Sequence, residues 1–351
     1  MPSEESPRDP ACPQERRTFL RGTAAVGVGA GLAGALAGFA TRAAAATSQA
    51  GLATSKPRRG NGKYVEVSAL NSLPYFYDHA LGTRYAGKWL DVPTAFLGPS
   101  TYDLPAMISV MESAIAENVS GMAVVGFDPA LAPTINKAVA AGIPVVTVDS
   151  DVPNSKRLAF VGTDNVYAGD LGGKYLARLL NGHGKVAIVT KIGQDNLNLR
   201  VQGYKHALAA AGVEVVAVLN DNSSPTTAAS VVSAELERTP DLAGIACVEA
   251  AGGEGAATAV KEAHKDKQVK IVSMDRDAAT LHAIEEGLIQ ASIAQKTALM
   301  PFYAFVMCQT QNTITIPITT DNAGSGINEL CPNVATGNEI ITKSNVKYWM
   351  R

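Results

Sequence analysis

Short apolar runs rich in Val and Ile recur along most of this chain, and stretches with helical spacing stand between them. The runs at 121–126, 143–148, 185–190, 213–219, 244–248 and 269–274 alternate with helical patterns at 104–118, 129–141, 166–180, 198–211, 226–238 and 255–264. Continuous rather than alternating apolar character marks strands covered on both faces, as in parallel sheets whose crossovers are helices. The series is long enough for two doubly wound units, so the expected fold is α/β, with two Rossmann-like lobes and a cleft between them. At 351 residues the chain has room for two domains of ordinary size.

An internal echo supports two similar halves. Residues 143–151 and 269–277 are both apolar strands that end in Asp-x-Asp, at Asp149 and Asp151 and again at Asp275 and Asp277. Ligands of open parallel sheets bind at the carboxyl ends of strands. Two acidic tips, one per lobe, are therefore expected to face each other across the cleft. A calcium loop is excluded at both: Pro153 and Ala279 fall at the fifth position, and Phe160 falls where a bidentate Glu is needed. Asp277 precedes a helical pattern over 278–286 and is expected to be its N-cap. Asp151 before Val-Pro-Asn suits a turn as well as a contact.

The first 46 residues differ in kind. Arg16-Arg17 precede a weakly apolar run over 23–40, then Arg42 and four alanines, which is the layout of an export signal of the twin-arginine subclass. Cleavage is expected near Ala46, with 47–62 as a flexible spacer and a soluble extracytoplasmic protein as the product. The Gly29-Ala30-Gly31-Leu32-Ala33-Gly34 string inside the leader has no strand before it and no acidic residue about 20 positions on, so it is not a dinucleotide site.

Catalytic constellations are missing. The chain has no G-x-S-x-G elbow, phosphate-loop signature or H-E-x-x-H, and its five histidines are scattered, each expected at a surface or helix end without a ligand role. No metal and no cofactor are expected. Thirty Lys and Arg against 32 Asp and Glu, without a basic block, exclude a nucleic-acid surface. No two of the four cysteines have C-x-x-C spacing. Cys308 and Cys331 bracket a polar segment, and a bridge between them is expected in an oxidising compartment; Cys247 in its apolar strand is expected to be a buried thiol.

Several motifs occur in a telling order: Ser68-Ala-Leu-Asn71-Ser-Leu-Pro74-Tyr75-Phe76, Val148-Asp149, Gly162-Thr-Asp164-Asn165, Arg200-Val-Gln-Gly203-Tyr204, Asp275 and Ala291-Ser-Ile-Ala-Gln295. In this order the chain resembles ribose-binding protein and similar periplasmic sugar-binding proteins of ABC importers, well over 63–295 and poorly beyond. The resemblance implies the type I periplasmic-binding-protein fold, with one lobe from 63–163 plus 296–335 and the other from 164–295 plus 336–351. It implies two lobes that close on a monosaccharide or sugar alcohol, pentose-sized compounds favoured, which a monomeric receptor hands to ABC permease subunits in the membrane.

Residue by residue, the resemblance places Tyr75 and Phe76 where aromatics stack on the sugar, and Asp149, Arg200, Asp275 and Gln295 at polar ligand positions. Asn71, Ser150, Asp151 and Arg276 are further candidates, and Met274 takes the place of another aromatic. Two departures stand out. Ser150 replaces the usual Arg after the first Asp, while Arg276 follows the second, and Glu249 stands where Asn is frequent. A more acidic pocket makes an acyclic sugar alcohol a competitor to ribose. Hydroxyls both donate and accept, so carboxylates, a carboxamide and a guanidinium suit them, and C–H faces suit aromatic rings. An exported carbohydrate-acting enzyme, with Asp149 or Glu249 as acid or base, is the rival reading. A sugar-responsive repressor would need a helix-turn-helix where the leader stands.

Overall fold

A computed structural model describes Gly60 and residues 62–350. The leader over 1–46 and nearly all of the 47–62 spacer lie outside the described residues.

The first lobe begins with β1 (Tyr64–Val67), α1 (Tyr77–Leu90), β2 (Thr94–Leu97), α2 (Leu104–Ala116), β3 (Gly121–Val125), α3 (Ala132–Ala140), β4 (Val145–Asp149) and β5 (Ala159–Gly162). The chain then builds a second sheet through α4 (Asn165–Leu179), β6 (Lys185–Thr190), α5 (Asp195–Ala210), β7 (Glu214–Asn220), α6 (Pro225–Arg238), β8 (Leu242–Cys247), α7 (Ala250–Glu262), β9 (Lys270–Met274), α8 (Ala278–Glu286) and β10 (Ala291–Gln295). It returns as α9 (Leu299–Thr313) and β11 (Asn333–Ala335), and crosses once more to β12 (Asn338–Ile341). The sheets run β11-β5-β4-β3-β1-β2 and β12-β10-β9-β8-β6-β7. Every pairing is parallel except β10 with β12.

Both sheets thus share one doubly wound order, with the strand sequence reversing beside β1 in one lobe and beside β6 in the other. That reversal opens a crevice at the carboxyl ends of the strands, where open α/β sheets bind ligands. The strands are apolar because helices cover them: all five residues of β3 and of β4 are buried. Side chains from β1, β3, β4, α2 and α9 form the first core, and the second sheet carries an apolar cluster on each face.

Three features differ from the sequence expectations. Cys308 lies fully buried on α9, its Sγ 3.6 Å from the Pro144 carbonyl oxygen, while Cys331 is exposed, and both thiols are free. The expected bridge is absent because α9 turns Cys308 into the first sheet, where burial pushes its thiol up to about 12. The polar segment is instead held by Asn322, which accepts from the Thr319 N–H at 2.9 Å and donates to the Ile316 carbonyl at 2.8 Å and to Glu329 at 3.0 Å.

His79 is the second. It is fully buried on α1, with Nδ1 2.6 Å from Glu66 Oε1, and Thr83 donates to the other Glu66 oxygen. Burial pulls the imidazole down, but the Glu66 carboxylate overcomes it and holds the ring above its usual value. A surface or helix-end place was expected because the five histidines are scattered, none three or four residues from another.

Third, Asp277 takes the N-cap position of α8 as expected, and the difference is only that its side chain makes no cap bond.

Helices α4 and α5 pack at unusually close range through glycines. A Cβ at Gly169 would stand 2.0 Å from the Arg200 carbonyl oxygen, and one at Gly203 would stand 2.1 Å from that of Val166. Gly169→Ala must separate the helices, an overpacking cost of about 1–3 kcal/mol. A fall in melting temperature of about 3–8 °C is expected by circular dichroism; an unchanged melt would show that the helices can part freely.

Candidate functional site

The two acidic strand tips share a backbone device. Asp149 and Asp275 both adopt left-handed conformation, φ 65° and φ 66°. Such φ values are uncommon outside Gly, Asn and Asp, and concentrate where structure is held for function. Asp149 is the last residue of β4, and Asp275 directly follows β9. Met274, one residue before Asp275, lies in the core cluster of the second lobe at 1% exposure. Met274 is therefore core, not a stacking group.

A buried polar chain joins the lobes between these tips. Pro74 opens a short 3-10 turn over Pro74–Phe76 that aims Tyr75 at the cleft. Tyr75 Oη donates to Asp149 Oδ1 at 2.6 Å. From the second lobe, Gln295 Nε2 donates to Tyr75 Oη at 3.2 Å and to Asp275 Oδ1 at 2.8 Å. Gln295 Oε1 accepts from Thr163 Oγ1 at 2.6 Å and from Arg200 Nη2 at 3.0 Å. Arg200 in turn donates from Nε to Asn165 Oδ1 at 2.8 Å and from Nη1 to the Val248 carbonyl at 2.9 Å.

Titration follows this geometry. Burial pushes the Asp275 carboxyl up to about 7, against the pull of Arg200 and the Gln295 hydrogen bond. Burial, then the charges of Asp149 and Asp275, hold the Tyr75 phenol well above its usual value, so it remains a donor. Glu249, at the carboxyl end of β8, is pushed up to about 8 by burial and then by Asp221.

A cavity of about 340 Å³ opens beside this chain, lined by Tyr75, Asp78, Asp275, Arg276, Gln295 and Thr297 among others. That volume is at the lower end of ligand pockets and matches a single small molecule.

Other candidates are placed differently. Phe76 is 2% exposed and packs edge-on against Tyr75, ring centroids 5.0 Å apart, so it supports the tyrosine from within the core. Asp151 does not reach the cleft: Arg157 forks onto both its oxygens and Thr147 donates to it at 2.6 Å, which makes it a turn residue. Arg276 pairs with Asp78 of the first lobe and lies over the Trp349 ring, 5.8 Å from its centroid. It therefore bridges the lobes at the cavity wall. Asn71 donates to the Gly98 carbonyl at 2.8 Å and ties together the loops after β1 and β2. Ser150 is buried behind Asp149, where its carbonyl accepts the Gly126 N–H at 2.9 Å.

Asp78, Asp221 and Tyr102 escaped the sequence reading. Tyr102 packs edge-on to Phe127 and carries Lys191 of the second lobe 5.5 Å from its ring centroid. Among the described residues no group of His, Cys, Asp and Glu could hold a metal ion.

Two doubly wound lobes, three chain crossings and a polar chain bridging the strand tips define a two-lobed binding protein of the type I periplasmic-binding-protein fold. The chain belongs to the periplasmic binding protein domain family, whose model matches residues 73–311. It is 31% identical over 204 residues to the D-ribose/D-allose-binding protein of Pseudomonas aeruginosa, a match that spans 56% of this chain and 64% of that one, just under two thirds. Among solved structures, a sugar-binding protein of a sugar ABC transporter from Bacillus halodurans superposes with TM-score 0.78 at 34% identity, covering 83% of this chain and 100% of that one. AraP, an arabinose binding protein from Geobacillus stearothermophilus, superposes with TM-score 0.76 at 34% identity, covering 82% and 99%.

Proposed function

We propose that this protein captures a pentose-sized monosaccharide or sugar alcohol and delivers it to an ABC-type importer. The observation that carries the reading is the polar chain Asp149–Tyr75–Gln295–Asp275, which spans both lobes beside a cavity of single-sugar size. Neutral hydroxyls suit its mixture of carboxyl, phenol, carboxamide and guanidinium. Tyr75, Asp149, Arg200, Glu249, Asp275 and Gln295 form the ligand site in this reading, and Tyr75 supplies the stacking face. Of the relatives named above, the ribose and arabinose in their names support the pentose size class, while the allose in the first name is a hexose.

Ligand selects the closed arrangement by touching both lobes at once. No covalent step is involved. The receptor works as a monomer outside the cytoplasm, exported by the twin-arginine route, cleaved near Ala46 and presented to permease subunits in the membrane.

A thermal-shift screen tests the reading. D-ribose, L-arabinose, D-xylose, hexoses and the tetritol-to-hexitol alcohols are compared at millimolar concentration. At least one pentose or pentitol is expected to raise the melting temperature by several degrees, since a ligand at about 1,000 times its Kd stabilises by about 4 kcal/mol. A panel without any shift would refute the sugar reading.

A further inference from the structure

Two carboxyl oxygens in the second lobe have no hydrogen-bond partner although both are buried: Glu249 Oε1 and Asp221 Oδ2. Glu249 stands at the N-cap position of α7 without a side-chain cap bond. Asp221 follows β7, is 0% exposed, and uses its other oxygen to accept the Ser223 N–H at 3.0 Å. Its Oδ2 faces the first turn of α7, where a Cβ on Gly252 would stand 3.3 Å away. The small residue there is what lets the Asp221 carboxyl approach the base of Glu249.

Two buried carboxylates side by side repel each other and leave both facing oxygens without a donor. One proton between them removes both penalties, as one acid donates to the other's carboxylate. We propose that Glu249 and Asp221 share one proton, so that Glu249 meets the sugar as a neutral carboxylic acid and Asp221 is the positioning residue that holds it there. The inference deepens the sugar-binding reading and rests on it for what Glu249 meets. The proton lets an acidic side chain enter the cleft without adding a further negative charge beside Asp275.

The surroundings agree. Burial raises Glu249 to about 8, followed by the adjoining Asp221 carboxyl and then the charge of Asp275, while the Ala251 N–H acts the other way. Cys247 on β8 faces the same pair, and its thiol is held well above its usual value by burial and then by Asp221 and Glu249. Tyr102 from the first lobe lies within the field of Glu249. The nearby cations are Arg200, bonded to the carbonyl of the adjacent Val248, and Lys191 over the Tyr102 ring. Neither donates to Glu249, so a proton and not an ion pair neutralises the site.

Because Glu249 binds its proton more tightly folded than unfolded, the pair favours folding least at high pH. Stability from this source is lost as pH rises from about 4.5 to about 8.

The test uses the whole exported chain, labelled with ¹³C at its carboxyl groups, without sugar. The Glu249 signal is identified by its loss in E249Q. It is expected to titrate above pH 7 in the wild-type protein and to move down by at least one pH unit in D221N. Titration below pH 5.5 in the wild type, or an unmoved midpoint in D221N, overturns the shared proton. Should D221N not fold, thermal melts of E249Q decide: between pH 5 and 8 the wild type is expected to lose melting temperature more steeply than E249Q, and equal slopes overturn the proposal.

A separate arm titrates L-arabinose calorimetrically at pH 6.5 and 9.5. Wild-type affinity is expected to change by at least fivefold more, in the direction of weaker binding at pH 9.5, than that of E249Q, in which Asp275, raised to about 7, still titrates. A pH dependence of binding equal to that of E249Q overturns the neutral-acid role, whereas failure of L-arabinose and the wider panel to bind at all counts against the sugar reading and leaves the carboxyl titration to decide the proton.

Discussion

Replacing Asp275 with Asn weakens pentose binding about 100-fold and at the same time raises the melting temperature of the sugar-free protein at pH 8 by about 5 °C or more. Both effects come from one buried charge. Asp275 is 6% exposed and titrates near 7, so at pH 8 the folded protein must hold an ionised carboxyl that the unfolded chain ionises freely. The sign follows from linkage: the folded state binds the proton more tightly, and stability falls as pH rises from about 4 to about 7. The full penalty is on the order of 4 kcal/mol, which Asn avoids, and 1 kcal/mol corresponds to roughly 2–4 °C for a domain this large. Asn also tolerates the φ of 66°, which Ala would adopt only with strain. The same substitution removes charge-assisted hydrogen bonds to the sugar's hydroxyls, worth roughly 1.5–3 kcal/mol each. Calorimetric titration and thermal melts of the one variant check both halves. A D275N protein that binds as tightly as wild type, or melts lower at pH 8, would remove Asp275 from the site.

The runs that became β3, β4, β6 and β9 are buried on both faces, so their own composition identifies them. Residues 278–286 were equally clear, because a helical pattern follows Asp277 directly, and the helix ends at Gly287 with φ 86°. By contrast β11 and β12 span three and four residues, and their strand character comes from pairing with β5 and β10 rather than from their own pattern. Helix α9 is apolar enough to notice, but nothing local says that it returns to pack on the first sheet.

The site divides in the same way. Asp149 and Asp275 stood out because the two halves repeat one strand-tip pattern. Which of Tyr75 and Phe76 faces the cleft depends on the 3-10 turn, and adjacent residues in such a turn point apart. Met274 and Arg276 flank Asp275, yet one packs beneath the sheet and the other reaches Asp78. Asp221 carried no signal, since its meaning arises only where α7 brings Glu249 beside it.

Arg200→Met is expected to lower the melting temperature at pH 7.5 by about 10 °C and to abolish detectable pentose binding. The residue is 2% exposed and spends its guanidinium on Asn165 of α4, the Val248 carbonyl just after β8 and Gln295 of β10. A methionine fills similar volume but leaves those three acceptors short of a donor and takes the balancing cation away from Asp275. Removing one partner from a buried charged network costs roughly 3–5 kcal/mol, because the charge left behind is uncompensated. Its pH dependence separates this cause from simple loss of packing. Arg200 is what pulls the Asp275 carboxyl down, so without it Asp275 takes up a proton more readily, and at pH 5.5 the variant's deficit is expected to shrink by about half. Packing loss would leave the deficit equal at both pH values. The loss of binding has a different origin: Gln295 is held from one side by Thr163 and from the other by Arg200, and only in that orientation does its Nε2 point at both Tyr75 and Asp275. An R200M protein that melts within 2 °C of wild type at pH 7.5, or still binds sugar, would show that the polar chain between the lobes does not depend on this guanidinium.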